Sequence, residues 1–331
     1  MPGPRGSGTR HIRPTQPAEP GEGETRMATT HGRTVAAVPR KKAFWKSVRK
    51  SRAAYLLLLP FLLHFLFVVA YPILYSIYLG FFEAGLNTDP EFIGLENFTQ
   101  LSQDDEFLAA FRNTFYFAFF SVIGETILPL ILALIMNQRL RGRIIFRTAF
   151  FLPVATSWVI VSLIWSVLFV RNGIVNISLL WLDLPEQPFL ADGRQAMWII
   201  IFMSVWKNLG YYMVIYLAGL QSVPQDLVEA ASLDGASPLR IIWNVTIPSI
   251  RPVIYFVLSI ATIGSMQLFT QPYIMTNGGP LNATLSIVQL LYREAFVELR
   301  FGYGSAIATV LLAVLIVLSL ANRRLGNLIA H

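Results

Sequence analysis

The chain has 331 residues, 54% hydrophobic and only 14% charged, with a mean hydropathy of +0.55. A soluble chain of this size carries more charge, so long apolar stretches point to a multispanning membrane protein. The net charge of +7 is no nucleic-acid signature, because Lys and Arg gather in the N-terminal tail and in alternate loops, and the absence of cysteine excludes disulfides, thiolate metal sites and a Cys nucleophile.

Residues 1–40 are rich in Pro, Gly, Thr and Arg without hydrophobic periodicity, which predicts a disordered tail. They contain no apolar segment of signal-peptide length. Met27 is a candidate start, and the tail is expected to be dispensable. Residues 41–52 form a basic juxtamembrane segment, with Lys46, Arg49, Lys50 and Arg52 just before the first apolar run.

An all-α polytopic membrane domain is expected over 53–322, with a short C-terminal segment at 323–331. Six spans are predicted, at about 54–81, 112–136, 148–170, 196–219, 250–272 and 303–321. Each reaches the ~20 residues that cross ~30 Å of hydrocarbon as a helix. Pro60, Pro72, Pro129 and Pro252 are expected kink sites. The basic collar, Arg139, Arg141, Arg143, Arg147, Arg240, Arg323 and Arg324 fall on one side of these spans. Glu83, Asp89, Glu91, Glu96 and Asp104 to Glu106 fall on the other. The positive-inside rule then puts both termini in the cytoplasm.

Between the fourth and fifth spans lies a polar stretch, residues 222–248. Ser222 is expected to cap a helix over about 224–233, with Pro224 in the first turn and Gln225 closing a capping box. Asp234-Gly235 should end that helix, and Ser237-Pro238 should start another. Small residues at Ala230, Ala231, Gly235 and Ala236 suit close approach by a partner. An ordinary amphipathic connector is the plainer reading.

Glu229-Ala230-Ala231, then Gly235, Val245, Ile247 and Pro248, resemble the EAA motif (EAA-x3-G-x9-I-x-L-P) of permease subunits in bacterial binding-protein-dependent ABC importers. Val245 and Ile247 depart from it by aliphatic exchange only. Phe92 to Phe98, Trp206 to Met213, Thr276 to Thr284 and Phe301 to Ala308 resemble the sugar-importing, maltose-type branch. The resemblance covers roughly residues 55–322. It implies a type I importer fold whose Glu229 stretch is a coupling helix, with Glu229, Ala230, Ala231, Asp234, Gly235 and Pro248 as the ATPase-coupling residues. It also implies a second homologous permease, two ATPase subunits that bind ATP and Mg, and an extracytoplasmic substrate-binding protein. Alternating access is the implied mechanism.

Catalytic chemistry is not expected in this chain. There is no phosphate-binding Gly-x4-Gly-Lys-Ser/Thr loop, no Gly-x-Ser-x-Gly elbow and no ligand spacing among His11, His31, His64 and His331. Neither a catalytic residue, a metal site nor a bound cofactor is assigned. A solute path should be polar and face the bundle interior. Ser204, Asn208, Tyr211 and Tyr212 fall close together on the fourth span, and Gln267 and Gln271 follow Gly264 on the fifth. Hydroxyls, amides and aromatic rings suit a neutral sugar, although such groups also bond neighbouring helices. Trp158 and Trp165 are either a packing stripe or a stacking platform, and Trp181 an interfacial anchor. Glu125 and Lys207 are charges at similar depth in two spans, which makes them candidate partners. Alternatively the Glu125 carboxyl is protonated and Lys207 donates to solute. An importer of another solute, such as glycerol phosphate, and an ion-coupled secondary transporter are the competing functions.

Overall fold

The computed structural model describes residues 52–86, 89–138 and 142–329. The expected tail at 1–40, the basic segment before Arg52, and Arg139 and Arg141 lie outside the described residues. Two compact units divide at Leu62–Leu63. Of the first, residues 52–62 are described, and all of them are helical.

The helices in chain order are α1 (Arg52–His64), α2 (Tyr71–Leu79), α3 (Glu96–Gln103), α4 (Asp105–Met136), α5 (Arg143–Ala155), α6 (Trp158–Leu168), α7 (Ile174–Trp181), α8 (Gly193–Gln221), α9 (Gln225–Leu233), α10 (Pro238–Ile241), α11 (Ile247–Ser249), α12 (Arg251–Met266), α13 (Thr270–Met275), α14 (Ile287–Tyr292) and α15 (Phe301–Ile329). The expected all-α architecture has one small exception among the described residues. Phe82–Glu83 pairs antiparallel with Glu91–Phe92. The Asn97 amide holds that hairpin, donating to the Gly80 and Phe82 carbonyls at 3.0 Å each.

Among the described residues, four helical stretches are long and apolar enough to cross a membrane: Leu56–Leu79, Asp105–Met136, Gly193–Gln221 and Phe301–Arg324. The other two expected spans differ from the single helices that the hydropathy predicts. Residues 148–170 bend by 97° between α5 and α6. Pro153 lies in the last turn of α5, and Thr156 and Ser157 are extended, so the chain leaves one helix and starts another. In the fifth stretch, 250–272, α12 ends at Met266 and a separate helix, α13, starts at Thr270; α12 is bent by 68° from the preceding α10–α11 segment at Ile250, just before Pro252.

Prolines also shape two helices without stopping them. Pro72 and Pro248 each follow a π-helical segment, Phe65–Ala70 and Ile242–Thr246. In both, the residue before proline donates five residues back, Tyr71 to Leu66 and Ile247 to Ile242. The wider turn makes room for a ring that would otherwise clash with the carbonyl four residues earlier.

α8 is the central helix. Of its most apolar window 56% is buried, against 28% in α4, 22% in α15 and none in the first span. It packs along α4 and across α5. The crossing with α5 depends on Gly210, where a Cβ would stand 2.1 Å from the Phe150 carbonyl oxygen. Close backbone approach of this kind replaces the hydrophobic drive that lipid does not supply. The large apolar side chains left outside, such as Phe119, Ile131, Phe202 and Val317, suit a hydrocarbon surround.

Candidate functional site

The buried stripe of α4 runs Asn113, Phe117, Ser121, Glu125, Pro129, Ala133, one residue in every four. On the facing helix, Ser204, Asn208 and Tyr212 are also four apart. At this spacing side chains stack along one helix face. The two stripes meet where the Asn208 amide donates to Glu125 Oε1 at 2.7 Å. Tyr212 and Ser265 neighbour the same carboxyl in the cavity wall.

Beside this cluster is a cavity of about 270 Å³. Phe117 and Glu125 line it from α4, Trp158 from α6, and Ser204, Asn208 and Tyr212 from α8. Gly264 and Ser265 come from α12, Gln267 to Phe269 from the link after it, and Thr270 and Gln271 from α13. Gly264 leaves space, since a Cβ there would meet nothing within 4 Å. Gln267 is the C-cap of α12, and Gln271 belongs to a separate short helix. The break between them, not one helical face, brings both to the cavity.

Five of the six residues expected to line a solute path therefore share one cavity. Tyr211 does not. It is 45% exposed and packs its ring edge-on against Tyr212. Being one residue from Tyr212, it sits about 100° away around the helix. Lys207, four residues before Tyr211, shares that side of α8 and does not line the cavity either. Its Nζ donates to the Val154 carbonyl at 3.4 Å and sits 4.5 Å from the centroid of the Trp158 ring. The expected Glu125–Lys207 pair is thus replaced by two separate arrangements, because neighbouring residues on a helix face different ways. Of the two tryptophans, Trp158 reaches the cavity. Trp165 packs in an aromatic cluster with Phe169 and Trp206, and Trp181 is 86% exposed. Sequence reasoning missed Phe117 and Phe269 as cavity walls. The only signal for Phe117 was its place eight residues before Glu125.

A larger recess, about 760 Å³, opens where α4 and α8 begin, with Arg112, Tyr116, Asp192, Arg194 and Trp198 in its wall. Next to it the loop structure is tied by polar contacts. Asp104 caps α4, accepting from the Glu106 backbone N–H at 2.8 Å, and receives the Tyr303 hydroxyl. Arg293 pairs with Glu106, which also accepts from the Asn282 amide at 2.9 Å. Glu294 is buried between Arg300 at 3.1 Å and Arg293 at 3.8 Å. Burial pushes its carboxyl above the usual carboxylate range, against the pull of those two guanidiniums.

The Glu229 stretch is at the other end of α8. α9 starts at Gln225 with Pro224 as its cap residue, and the Ser222 hydroxyl instead donates back to Gly219 at 2.7 Å. The expected Ser222 cap is absent because that residue is still finishing the last turn of α8. The C-terminus of α9 is as expected. Gly235 has φ +77°, Gly235 N–H donates to Ser232 and Ala236 N–H to Ala231, the paired bonds of a left-handed helix end. Ser237 caps α10, its side chain accepting from the Arg240 N–H at 3.4 Å. Glu229, Ala230 and Ala231 lie on the exposed α9, Asp234 and Gly235 end it, and Pro248 follows the π segment.

Residues 126–329 match the family described as binding-protein-dependent transport system inner membrane component. The chain is 34% identical over 302 residues to the arabinooligosaccharides transport system permease protein AraP of Bacillus subtilis, covering 89% of this chain and 96% of that protein. It is 36% identical over 237 residues to the sn-glycerol-3-phosphate transport system permease protein UgpA of Yersinia pestis, covering 71% of this chain and 80% of that one. A bacterial ABC transporter involved in the import of the acidic polysaccharide alginate contains a chain with the same fold. There the TM-score is 0.78 at 26% identity, over 87% of this chain and 100% of that one. These matches leave no place for an ion-coupled secondary transporter: the chain belongs to the family of binding-protein-dependent transport system inner membrane components, a permease part rather than an enzyme.

Proposed function

We propose that this chain is the permease subunit of an ATP-driven importer that moves a neutral di- or oligosaccharide across the cytoplasmic membrane by alternating access. The observation that carries the solute class is the cavity lining. Among the described residues it offers hydroxyls, amides and aromatic rings, with a single carboxyl and no Lys or Arg. An anionic solute needs a basic partner in so dry a place, and a polyol needs what is there. The relative named for arabinooligosaccharides supports this class. The relative named for glycerol phosphate points to an anion, which the lining does not favour.

The rest of the machine follows the family. The two bent helix pairs each count as one span, giving six, with both termini in the cytoplasm. The wide recess at the start of α4 and α8 faces outward and receives solute from an extracytoplasmic binding protein. α9 docks as a coupling helix on one of two ATPase subunits, which bind ATP and Mg, and a second homologous permease completes the pore. Residues 53–322 make the permease domain, between a dispensable basic tail and a short cytoplasmic end.

Uptake by a strain deleted for this chain, and by the complemented strain, tests the solute class. Radiolabelled arabinotriose, maltotriose, an alginate trisaccharide and glycerol 3-phosphate form the panel. Restored uptake of a neutral oligosaccharide is expected. Restoration of only the anionic solutes would sink the reading.

A further inference from the structure

Lys207 is 4% exposed in the middle of the most buried helix. An ammonium in such a place is tolerated only with partners. Among the described residues no carboxylate comes within 4.0 Å of it. Its two partners belong instead to the two sides of the 97° bend. Val154 is in the last turn of α5, where carbonyls lack intrahelical partners and the helix dipole is negative. Trp158 is the first residue of α6, and its ring face attracts a cation. One side chain from α8 therefore ties together the end of one half-helix and the start of the next. Trp158 lines the 270 Å³ cavity and Lys207 does not, whereas Asn208, the next residue, does.

We propose that Lys207 is a positioning residue: it holds the Trp158 ring as the aromatic wall of the cavity and so sets affinity for the sugar without touching it. This rests on the cavity being the solute site. A ring locked in place offers a sugar its apolar face at no ordering cost on binding, and a ring free to turn about the elbow does not. To the apolar packing of the ring the ammonium adds two polar restraints, a hydrogen bond to the backbone before the elbow and a cation–π contact after it.

The test is initial-rate uptake, in cells carrying the complete importer, of whichever radiolabelled oligosaccharide of the panel is taken up fastest. Lys207→Met is expected to raise KM about tenfold, with the maximal rate per assembled importer little changed. Lys207→Arg keeps charge and donor and should restore most of the affinity. Lys207→Gln keeps a donor for Val154 but no cation, so it should behave like Lys207→Met, and it serves if the methionine variant fails to assemble. Trp158→Ala should raise KM by a similar factor, and adding Lys207→Gln to it should change nothing further. Additive KM effects in the double variant would mean that Lys207 acts on the solute independently of Trp158, and would overturn the proposal. A wild-type KM in Lys207→Gln, with a loss only in rate or abundance, would overturn it as well. If Trp158→Ala and Gln267→Ala both leave KM unchanged, the cavity is not the solute site and the reading beneath the proposal falls instead.

Discussion

Asn208 and Glu125 meet between α8 and α4, with the amide nitrogen 2.7 Å from the carboxyl oxygen, at the wall of the 270 Å³ cavity. The carboxyl is 3% exposed, so its stability depends on the donors around it. Removing one partner of a buried polar pair costs about 1–3 kcal/mol, more when the survivor is charged. Asn208→Ala should therefore lower the melting temperature of the detergent-purified importer. Replacing both, Glu125→Leu with Asn208→Leu, should recover part of the loss, because the buried carboxyl is gone and only the Tyr212 and Ser265 hydroxyls lose a neighbouring acceptor. A double variant less stable than Asn208→Ala would contradict this account.

Two glycines should respond in opposite ways to the same added methyl. Gly210→Ala would drive a Cβ into the Phe150 carbonyl, and the α5–α8 crossing must open. Overpacking of that kind costs about 1–3 kcal/mol or more, so less protein should reach the membrane. Gly264→Ala meets nothing and even gains helix propensity, roughly 1 kcal/mol. Its methyl nevertheless enters the cavity, so the expectation is normal abundance with weakened uptake. Immunoblots of membranes alongside uptake rates separate the two outcomes.

At Gly235 the prediction concerns coupling. Its φ of +77° disfavours any side chain by about 1–2 kcal/mol, but there is open space around it in this chain. Gly235→Leu should leave the protein in the membrane and lose uptake, with ATP hydrolysis no longer linked to transport in proteoliposomes. Among the described residues nothing lies within 4 Å of a Cβ at this position, so a loss of coupling beyond that backbone cost, in protein that still reaches the membrane, would point to a partner. Normal uptake in the variant would count against a docking role for α9.

Glu294 gives a pH dependence. A carboxyl whose pKa is raised by folding holds its proton more tightly in the folded state. Its contribution is therefore most favourable below the unfolded value and declines as pH rises toward the raised one. Glu294→Gln removes that dependence. Wild type should gain melting temperature relative to the variant as pH falls from about 7 to about 5. A difference that shrinks over the same range would contradict the burial argument.

Much of this was legible in the sequence, and what was not has a physical cause. Hydropathy found the long spans, and Gly235 marked the end of α9, because left-handed backbone is a local property. The elbow at Thr156–Ser157 was hidden, since an apolar run does not record the direction of its helix axis. Helix rotation was only partly readable. In lipid both faces of α4 are apolar, so the inner face is marked by its small and polar members, Asn113, Ser121 and Glu125, and Phe117 among them carries no mark of its own. Likewise Lys207 and Asn208 differ by one position in sequence and by a whole set of neighbours in space.

The wide turns ahead of Pro72 and Pro248 have a consequence for anyone comparing this chain with its relatives. Each inserts one extra residue without breaking the rod, so a helical wheel drawn through Ile242–Thr246 slips in phase by about 100°. Side chains that match across such a segment by sequence spacing point to different neighbours. A one-residue deletion there would restore an even wheel, yet it would press the Pro248 ring against the carbonyl before it and swing α9 and α10 about the long axis of the segment that joins them to α12.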